Sequence, residues 1–271
     1  MKDIINNIIT GNCVDVMKGF SDASIDMCIT SPPYDNLRKY KGYDFPFDDI
    51  VKQLYRIIKI GGVVVWVVSD ATIDGTETGT SFKQALKFME VGFKLHDTMI
   101  FKKTNPIPQI YRKRYNNEFE YMFVFAKEIV QTHNPIRVPC LHAGLELKGT
   151  TYKNFSTGEQ KRGKFANPVK NDKVKGNIWE YVVGKSAVDQ EAKNHPAPFP
   201  YALAFDHIQS WTNENDIVLD PMCGSGTSIV AANDLNRRFI GIDICEEYTD
   251  LARNRLKIHQ NKQMNEFKFE D

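Results

Sequence analysis

Apolar residues near the start of the chain alternate between the spacing of strands and that of helices. Residues 4–10, 25–29 and 63–68 are short β-prone runs, and each predicts a strand. Residues 14–20 and 47–58 lie between these runs and carry apolar side chains at helical spacing. The run at 63–68 is apolar throughout, which is typical of a strand buried on both faces of a parallel sheet. The order strand, helix, strand, helix, strand predicts an α/β fold.

Two further strands are expected at residues 93–102 and 121–126, after an amphipathic helix at 82–91. A basic, proline-containing segment separates them, so they are expected to form an antiparallel hairpin with a long loop at one edge of the sheet. Gly61 and Gly62 are expected to end the helix that precedes them.

The last part of the chain repeats the alternation of strands and helices. Residues 201–212, 228–236 and 246–260 predict helices, and residues 216–220 and 239–244 predict strands. Added to the earlier runs, these give a mostly parallel sheet of seven strands.

The middle of the chain, residues 127–193, lacks a regular apolar period. Between positions 146 and 175 there are eight basic residues and three acidic ones, with aromatic residues among them. A solvated, loop-rich insertion and a nucleic-acid surface both account for this composition. If the partner is a nucleic acid, the candidate phosphate contacts here and in the earlier basic loop are Arg112, Lys113, Arg114, Lys148, Lys153, Lys161, Arg162 and Lys164.

Composition and charge narrow the class of protein only slightly. The formal net charge is +1, so any nucleic-acid-binding surface would have to be local. The five cysteines show no C-x-x-C spacing, which argues against a zinc site or a disulfide framework and fits a reducing cytoplasm. No apolar run has membrane-spanning length and no signal-peptide pattern is present, so a cytoplasmic protein is expected. Because the cysteines lack the spacing of a zinc site, no bound metal is expected.

The stretch from Thr30 to Tyr34, Thr-Ser-Pro-Pro-Tyr, follows the strand at 25–29 directly. Pro32 and Pro33 lack a backbone N–H and fix φ, so the strand must stop there in a rigid corner, with Ser31 on one side and an aromatic ring on the other. Ligands of open α/β sheets bind at the carboxyl ends of the strands. An ordinary Pro-Pro turn is the alternative interpretation.

A second strand end carries two glycines at close spacing. Gly224 and Gly226 lie in the turn from the strand at 216–220 into a helix, where backbone amides can approach a ligand. Asp243 ends the next strand, in the place of an acid that holds ribose hydroxyls. The carboxylate of Asp220 would repel a pyrophosphate, and Ile229 replaces the third glycine of a dinucleotide fingerprint. A nucleoside that carries positive charge, such as S-adenosylmethionine, is therefore favoured over NAD.

The two motifs together resemble those of the amino-methylating DNA methyltransferases, which modify the exocyclic amine of cytosine or adenine. The motifs are Thr-Ser-Pro-Pro-Tyr at 30–34 and Asp-Pro-Met-Cys-Gly-Ser-Gly-Thr at 220–227. With the catalytic motif first, the order resembles the circularly permuted beta class. The resemblance implies a Rossmann-like fold dependent on S-adenosylmethionine, with a catalytic part at 1–126, a target-recognition region at 127–193 and a cofactor-binding part at 194–271.

The resemblance also implies roles for particular residues. The catalytic set would be Ser31, Pro32, Pro33 and Tyr34, with Tyr34 stacking on a base flipped out of the duplex. The cofactor would be bound by Asn12, Cys13, His195, Pro196, Asp220, Pro221, Cys223, Gly224, Gly226, Thr227 and Asp243. Asn12 replaces an aspartate that is usual in the family at that turn, which leaves its share of the binding open.

The hydroxyl of Ser31 and the carbonyl of Pro32 can accept the two N–H groups of an amine and free its lone pair, with no cysteine nucleophile. Members of the resembled family with Thr-Ser-Pro-Pro and an aromatic residue most often act on N4 of cytosine, so the resemblance favours cytosine, and N6 of adenine is the alternative. A catalytically inactive DNA-binding relative and an RNA or protein methyltransferase are less favoured. The expected partners are duplex DNA and, in a restriction system, a cognate restriction endonuclease, with the protein a monomer or a homodimer.

Overall fold

The structure is a computed structural model that describes residues 4–33, 45–106, 108, 113–144, 151–154, 156–162, 169–184 and 200–267. It divides into two compact units. The larger unit comprises Met1–Asn134 and Asn177–Asp271, and the smaller one comprises Pro135–Gly176.

Helices and strands alternate in the larger unit, which confirms the predicted α/β fold. Among the described residues, helices α1 to α6 occupy Cys13–Lys18, Phe47–Ile57, Thr80–Val91, Tyr201–Trp211, Thr227–Asp234 and Glu246–Phe267. Strands β1 to β7 occupy Asn7–Thr10, Ile25–Thr30, Ile58–Val68, Thr72–Ile73, Thr76–Glu77, Lys94–Lys103 and Phe119–Ala126. Strands β8 to β11 of the smaller unit occupy Arg137–Pro139, Thr151–Lys153, Gln160–Arg162 and Asp172–Val174. Strands β12 to β14 occupy Ile178–Tyr181, Ile217–Asp220 and Arg238–Asp243.

The central sheet has the order β1-β14-β13-β2-β3-β7-β6-β12. Only β7 runs antiparallel to its neighbours; the other pairings are parallel. The sheet has one strand more than predicted, and the β6–β7 hairpin lies one strand in from the edge. The extra strand β12 comes from the region expected to be irregular. Its four residues alternate, with Trp179 and Tyr181 buried and Ile178 and Glu180 exposed, which is too short a pattern to stand out in the sequence.

The connections of the sheet reverse direction between β2 and β13. Strand β2 leads through α2 to β3 on one side of this pair, while β13 leads through α5 to β14 on the other side. Adjacent parallel strands that lead in opposite directions form a topological switch point, and a crevice opens there at the carboxyl edge.

Helices cover the sheet in two groups. Helix α2 packs against α1 and α3, and α5 packs against α4 and α6. Apolar side chains of α1, α2 and α3 form the main core cluster together with the strands. Trp66 is fully buried there, as predicted, and its indole N–H donates to the side chain of Gln84 at 2.8 Å.

The prediction that Gly61 and Gly62 end helix α2 is wrong. The helix ends at Ile57, and both glycines lie inside β3 at an irregularity in its pairing with β2. Gly61 has φ +82°, and a Cβ there would lie 2.3 Å from the Gln131 side chain. A Cβ on Gly62 would lie 2.6 Å from the carbonyl oxygen of Asp26. These glycines therefore serve close packing of neighbouring segments.

The smaller unit contains two antiparallel pairs, β8 with β11 and β9 with β10. An ion pair between Arg137 and Asp172, at 2.7 Å, joins the first pair of strands. Across both units, no described helix is long and apolar enough to cross a membrane.

Candidate active site

Four parallel strands end side by side at the carboxyl edge of the sheet, in the order β1, β14, β13, β2. The register pairs Thr10 with Asp243, and it places Asp220 next to Gly241. Ser31 follows β2 directly. Residues predicted from opposite ends of the sequence therefore meet at one edge, on both sides of the switch point.

The turn after β1 is held to β14 and caps the following helix. The amide of Gly11 donates to the carbonyl of Asp243 at 2.9 Å. The side-chain oxygen of Asn12 accepts from the amides of Val14, at 2.9 Å, and Asp15, at 3.4 Å. Asn12 is thus the N-cap of α1, a position that favours Asn as much as Asp. The structure gives this residue a folding role.

The three cysteines near this edge fit the expectation of small pocket or core residues rather than nucleophiles. Burial raises the pKa of the Cys13 thiol to about 11, and the nearby Asp243 carboxylate adds to the effect. Burial also raises the pKa values of Cys28 and Cys223 well above their usual value. The thiolate is the nucleophilic form, so all three are poor nucleophiles near neutral pH.

The glycine turn after β13 is buried. Gly224 and Gly226 have φ values of +50° and +76°, in the left-handed region that favours glycine. A Cβ on Gly226 would lie 2.7 Å from the Cβ of Ala252 in α6. The close approach at Gly226 is therefore made by a helix of the protein itself. The other predicted members of this turn, Pro221, Cys223 and Thr227, are also buried.

The sequence did not predict the side chain of α6 that forms hydrogen bonds to this turn. Arg255 of α6 is fully buried, and its guanidinium donates to the carbonyl of Ser225 at 3.0 Å and to the hydroxyl of Thr227 at 2.8 Å. In the sequence it is one basic residue in a polar helix, 28 positions from its partner Thr227. Nothing in the local pattern distinguishes it from a solvated charge.

Asp243 closes the turn from the side of β14. Its carboxylate accepts the amides of Gly224 and Cys245, each at 2.9 Å. Burial raises its pKa, against these two hydrogen bonds. A carboxylate held this way at a strand end can still accept from ribose hydroxyls, because each oxygen has two lone pairs.

Asp220 lies at the centre of this site, and its carboxylate accepts three hydrogen bonds that were not predicted from the sequence. One oxygen accepts from the Thr30 hydroxyl at 2.8 Å and from the Met222 amide at 3.1 Å, and the other accepts from the Ser228 hydroxyl. Burial raises the pKa of Asp220 to about 6, which the three donors oppose and the charge of Asp243 reinforces. Thr30 and Ser228 are functional candidates that sequence reasoning did not select.

The corner after β2 begins within the described residues. Pro32 is buried, while Ser31 and Pro33 are half-buried. Predicted site residues outside the described part of the chain are Tyr34, Arg112, Lys148, Lys164, His195 and Pro196. Lys153, Lys161 and Arg162 lie in β9 and β10, and nothing is described of their side chains.

Two of the predicted phosphate contacts have described side chains. Lys113 is exposed. Arg114 pairs with the carboxylate of Glu77, in β5, at 3.1 Å. Phosphate contact by Arg114 would therefore compete with an existing ion pair. Within the described ranges, no group of three or more His, Cys, Asp and Glu side chains could hold a metal ion.

The fold defines the class of protein: a Rossmann-like α/β fold in which both strand-end motifs lie at the topological switch point of the sheet. A family model described as DNA methylase, of the N6/N4 type, matches residues 25–254. The chain therefore belongs to this family of amino DNA methyltransferases.

Individual relatives agree. The orphan methyltransferase M.BamHII of Bacillus amyloliquefaciens is 47% identical over 246 residues, which cover 89% of this chain and 91% of that protein. The type II methyltransferase M.BglII of Bacillus subtilis is 27% identical over 261 residues, covering 93% of this chain and 69% of that protein.

Solved structures share the fold. The cytosine-N4-specific PvuII DNA methyltransferase superposes with a TM-score of 0.67 at 18% identity, covering 95% of this chain and 92% of that one. TTHA0409 of Thermus thermophilus, in complex with S-adenosyl-L-methionine, gives a TM-score of 0.61 at 22% identity, covering 94% and 95% of the two chains.

Proposed function

We propose that this protein transfers a methyl group from S-adenosyl-L-methionine to the N4 amine of cytosine in duplex DNA. The observation that carries the proposal is the meeting of two motifs at the switch point. Ser31 and Pro32 follow β2, the glycine turn follows β13, and the Thr30–Asp220 hydrogen bond of 2.8 Å joins them. The proposed sites for the amine and for the nucleoside would thereby be adjacent.

The chemistry of the edge suits S-adenosyl-L-methionine. Asp220 and Asp243 end adjacent strands, and burial raises the pKa of both carboxylates. A cationic ligand would relieve the cost of their buried charge, whereas a pyrophosphate would increase it. Asp243 would hold the ribose hydroxyls. When bound, the cofactor supplies an electrophilic methyl group on a positively charged sulfur.

The corner after β2 would activate the amine. The lone pair of an exocyclic amine is delocalised into the base. The Ser31 hydroxyl and the Pro32 carbonyl would each accept one N–H, which favours a pyramidal nitrogen with its lone pair toward the methyl group. With the cofactor bound, the nitrogen would take its methyl group as the S–C bond breaks and S-adenosylhomocysteine leaves, and the methylated amine would then release one proton to solvent. Positioning and fixed dipoles account for the rate, with no covalent bond between enzyme and base.

The target base would reach this corner by leaving the duplex, with Tyr34 stacking on it. The smaller unit, Pro135–Gly176, falls within the region proposed for target recognition, and its described side chains Lys170 and Lys173 are exposed and basic. Lys113 offers a further phosphate contact. Type II methyltransferases among the relatives support a cytoplasmic role in restriction and modification, in which an endonuclease that cuts the same site would be the second partner.

N6 of adenine is the second candidate, because the matched family covers both amines. The resemblance to family members with Thr-Ser-Pro-Pro and an aromatic residue favours cytosine. The fold likeness to a cytosine-N4-specific enzyme does not decide between them, since 18% identity reflects the fold alone.

The product decides between the amines. Purified protein is incubated with tritiated S-adenosyl-L-methionine and unmethylated duplex DNA, and the DNA is digested to nucleosides and separated by chromatography. We expect label in N4-methylcytosine. Label only in N6-methyladenine would refute the cytosine assignment, and tight DNA binding without transfer would identify an inactive relative. M.BamHII, assayed in parallel, shows whether the DNA and the cofactor are competent.

A further inference from the structure

Strands β2 and β13 are joined by a short ladder. It comprises two pairs, Met27 with Val218 and Cys28 with Leu219. On their outer sides the ladders run further toward the carboxyl edge: β2 continues to Thr30 against β3, and β13 continues to Asp220 against β14. The two strands therefore separate at the carboxyl edge, where the corner after β2 and the glycine turn after β13 begin.

One side-chain hydrogen bond spans this opening. The Thr30 hydroxyl donates to the Asp220 carboxylate at 2.8 Å, and both residues are buried, with exposures of 1% and 6%. A valine has the same shape and suits a buried strand better, because a buried hydroxyl must find a partner. The residues before Thr30 in β2, Cys28 and Ile29, are apolar and fully buried. A threonine at this position is therefore accounted for by its bond to Asp220.

The same carboxylate also holds the glycine turn. It accepts from the amide of Met222, within the turn, and from the hydroxyl of Ser228, in the first turn of α5. Asp220 is thus shared by the end of β2, the glycine turn and the start of α5. Thr30 is covalently attached to Ser31, so its hydroxyl connects the amine acceptor to the segment that would hold the methyl donor.

We propose that Thr30 is a positioning residue, whose hydrogen bond to Asp220 fixes the corner at Ser31 relative to the glycine turn. This inference rests on the proposed function. Methyl transfer needs the reacting atoms about 3–3.5 Å apart and in line, and errors of about 0.5 Å in such a geometry reduce the rate. Because the ladder between β2 and β13 stops before the carboxyl edge, another contact has to fix the ends of these two strands relative to each other.

The test compares Thr30→Val, which removes the hydroxyl and keeps the shape, with Thr30→Ser, which keeps the hydroxyl. Thr98→Val, at an exposed position of β6, is the matched control. We expect kcat of Thr30→Val at saturating cofactor and DNA to fall roughly tenfold to a hundredfold. Its Kd for S-adenosylhomocysteine, from calorimetry, should change by less than about threefold. Thr30→Ser should recover most of kcat, and Thr98→Val should match the wild type.

A second readout does not depend on turnover. Amide hydrogen exchange at Ser31 should be faster in Thr30→Val than in the wild type, without any ligand, and should return to the wild-type rate in Thr30→Ser. If Thr30→Val proves poorly folded by its melting temperature, Thr30→Ala provides the hydroxyl deletion instead.

Any of three results would overturn the proposal: wild-type kcat in the hydroxyl-deleted variant, a loss confined to cofactor affinity, or Thr30→Ser as impaired as Thr30→Val. Unchanged exchange at Ser31 would equally refute it. Failure of the proposed function looks different, because the wild type itself would then transfer no methyl group to DNA while the exchange comparison would still report on the Thr30–Asp220 link.

Discussion

Replacing Asp220 with asparagine tests whether a buried charge lies at the switch point. Burial raises the pKa of Asp220 from its ordinary value of 3.8 to about 6. The folded protein therefore holds this proton more tightly than the unfolded chain does. The resulting stabilisation is complete below pH 3.8 and is lost as the pH rises through about 6. At about 1.36 kcal/mol for each factor of ten, the loss is about 3 kcal/mol.

Asparagine has nearly the same shape and does not titrate, so the variant lacks this pH-dependent contribution. Its altered hydrogen bonds to Thr30 and Ser228 add an offset that does not vary with pH. We expect the unfolding free energy of the wild type, minus that of Asp220→Asn, to fall by about 2.4 kcal/mol between about pH 4 and pH 7, since part of the effect is already lost at pH 4. In melting temperature this is roughly 5–10 °C, at about 2–4 °C per kcal/mol.

Thermal unfolding followed by circular dichroism across this pH range measures the effect. The matched control is Asp15→Asn, which removes an exposed carboxylate that pairs with Lys18 and should change stability by about 1 kcal/mol or less. Parallel curves for the wild type and Asp220→Asn would refute the burial argument. A difference that grew with rising pH would contradict its sign.

Three further predictions concern the same edge. Asp243→Ala should weaken the binding of S-adenosylhomocysteine, measured by calorimetry, by about tenfold or more. The ribose hydroxyls would lose their acceptor, and so would the amides of Gly224 and Cys245. Unchanged affinity would show that Asp243 does not belong to the cofactor site. Arg255→Met should lower the unfolding free energy by about 2–4 kcal/mol, since it removes the guanidinium that donates both hydrogen bonds to the glycine turn, and unchanged chemical denaturation would contradict that support. The Cys13 thiol, with its pKa near 11, should react with iodoacetamide in the folded protein far more slowly at pH 8 than at pH 10.5, and rapid alkylation at pH 8 would contradict its burial.

Much of the framework could be predicted from the sequence, because the strands of a parallel sheet are continuous apolar runs and the helices between them are amphipathic. The Rossmann-like fold could also be predicted, from the resemblance of the two motifs and their order along the chain. Gly61 and Gly62 misled the prediction, because glycine after a helical pattern usually ends the helix. Their actual cause is a close approach of Gln131 and Asp26, which only the folded chain brings near.

The site was predictable at the level of motifs and less so at the level of contacts. Strand ends give the neighbourhood of Ser31, Asp220 and Asp243, since parallel strands share one edge. The partners of those residues are long-range. Thr30 meets Asp220 across 190 positions of sequence, and no local period encodes such a pair. A buried basic residue such as Arg255 also escapes prediction, because its sequence context is that of a polar surface helix.

The central claim is that the Ser31 hydroxyl accepts a hydrogen bond from the target amine, whereas other residues bind the cofactor. Transfer of tritiated methyl groups to duplex DNA by wild-type protein and Ser31→Ala, with Kd for the cofactor measured on both, tests it most directly. Ser21→Ala is the control, because Ser21 precedes β2 at the opposite end of the strand. The account predicts a loss of kcat of about a hundredfold in Ser31→Ala with unchanged cofactor affinity. Turnover at the wild-type rate, or loss of cofactor binding in its place, would contradict it.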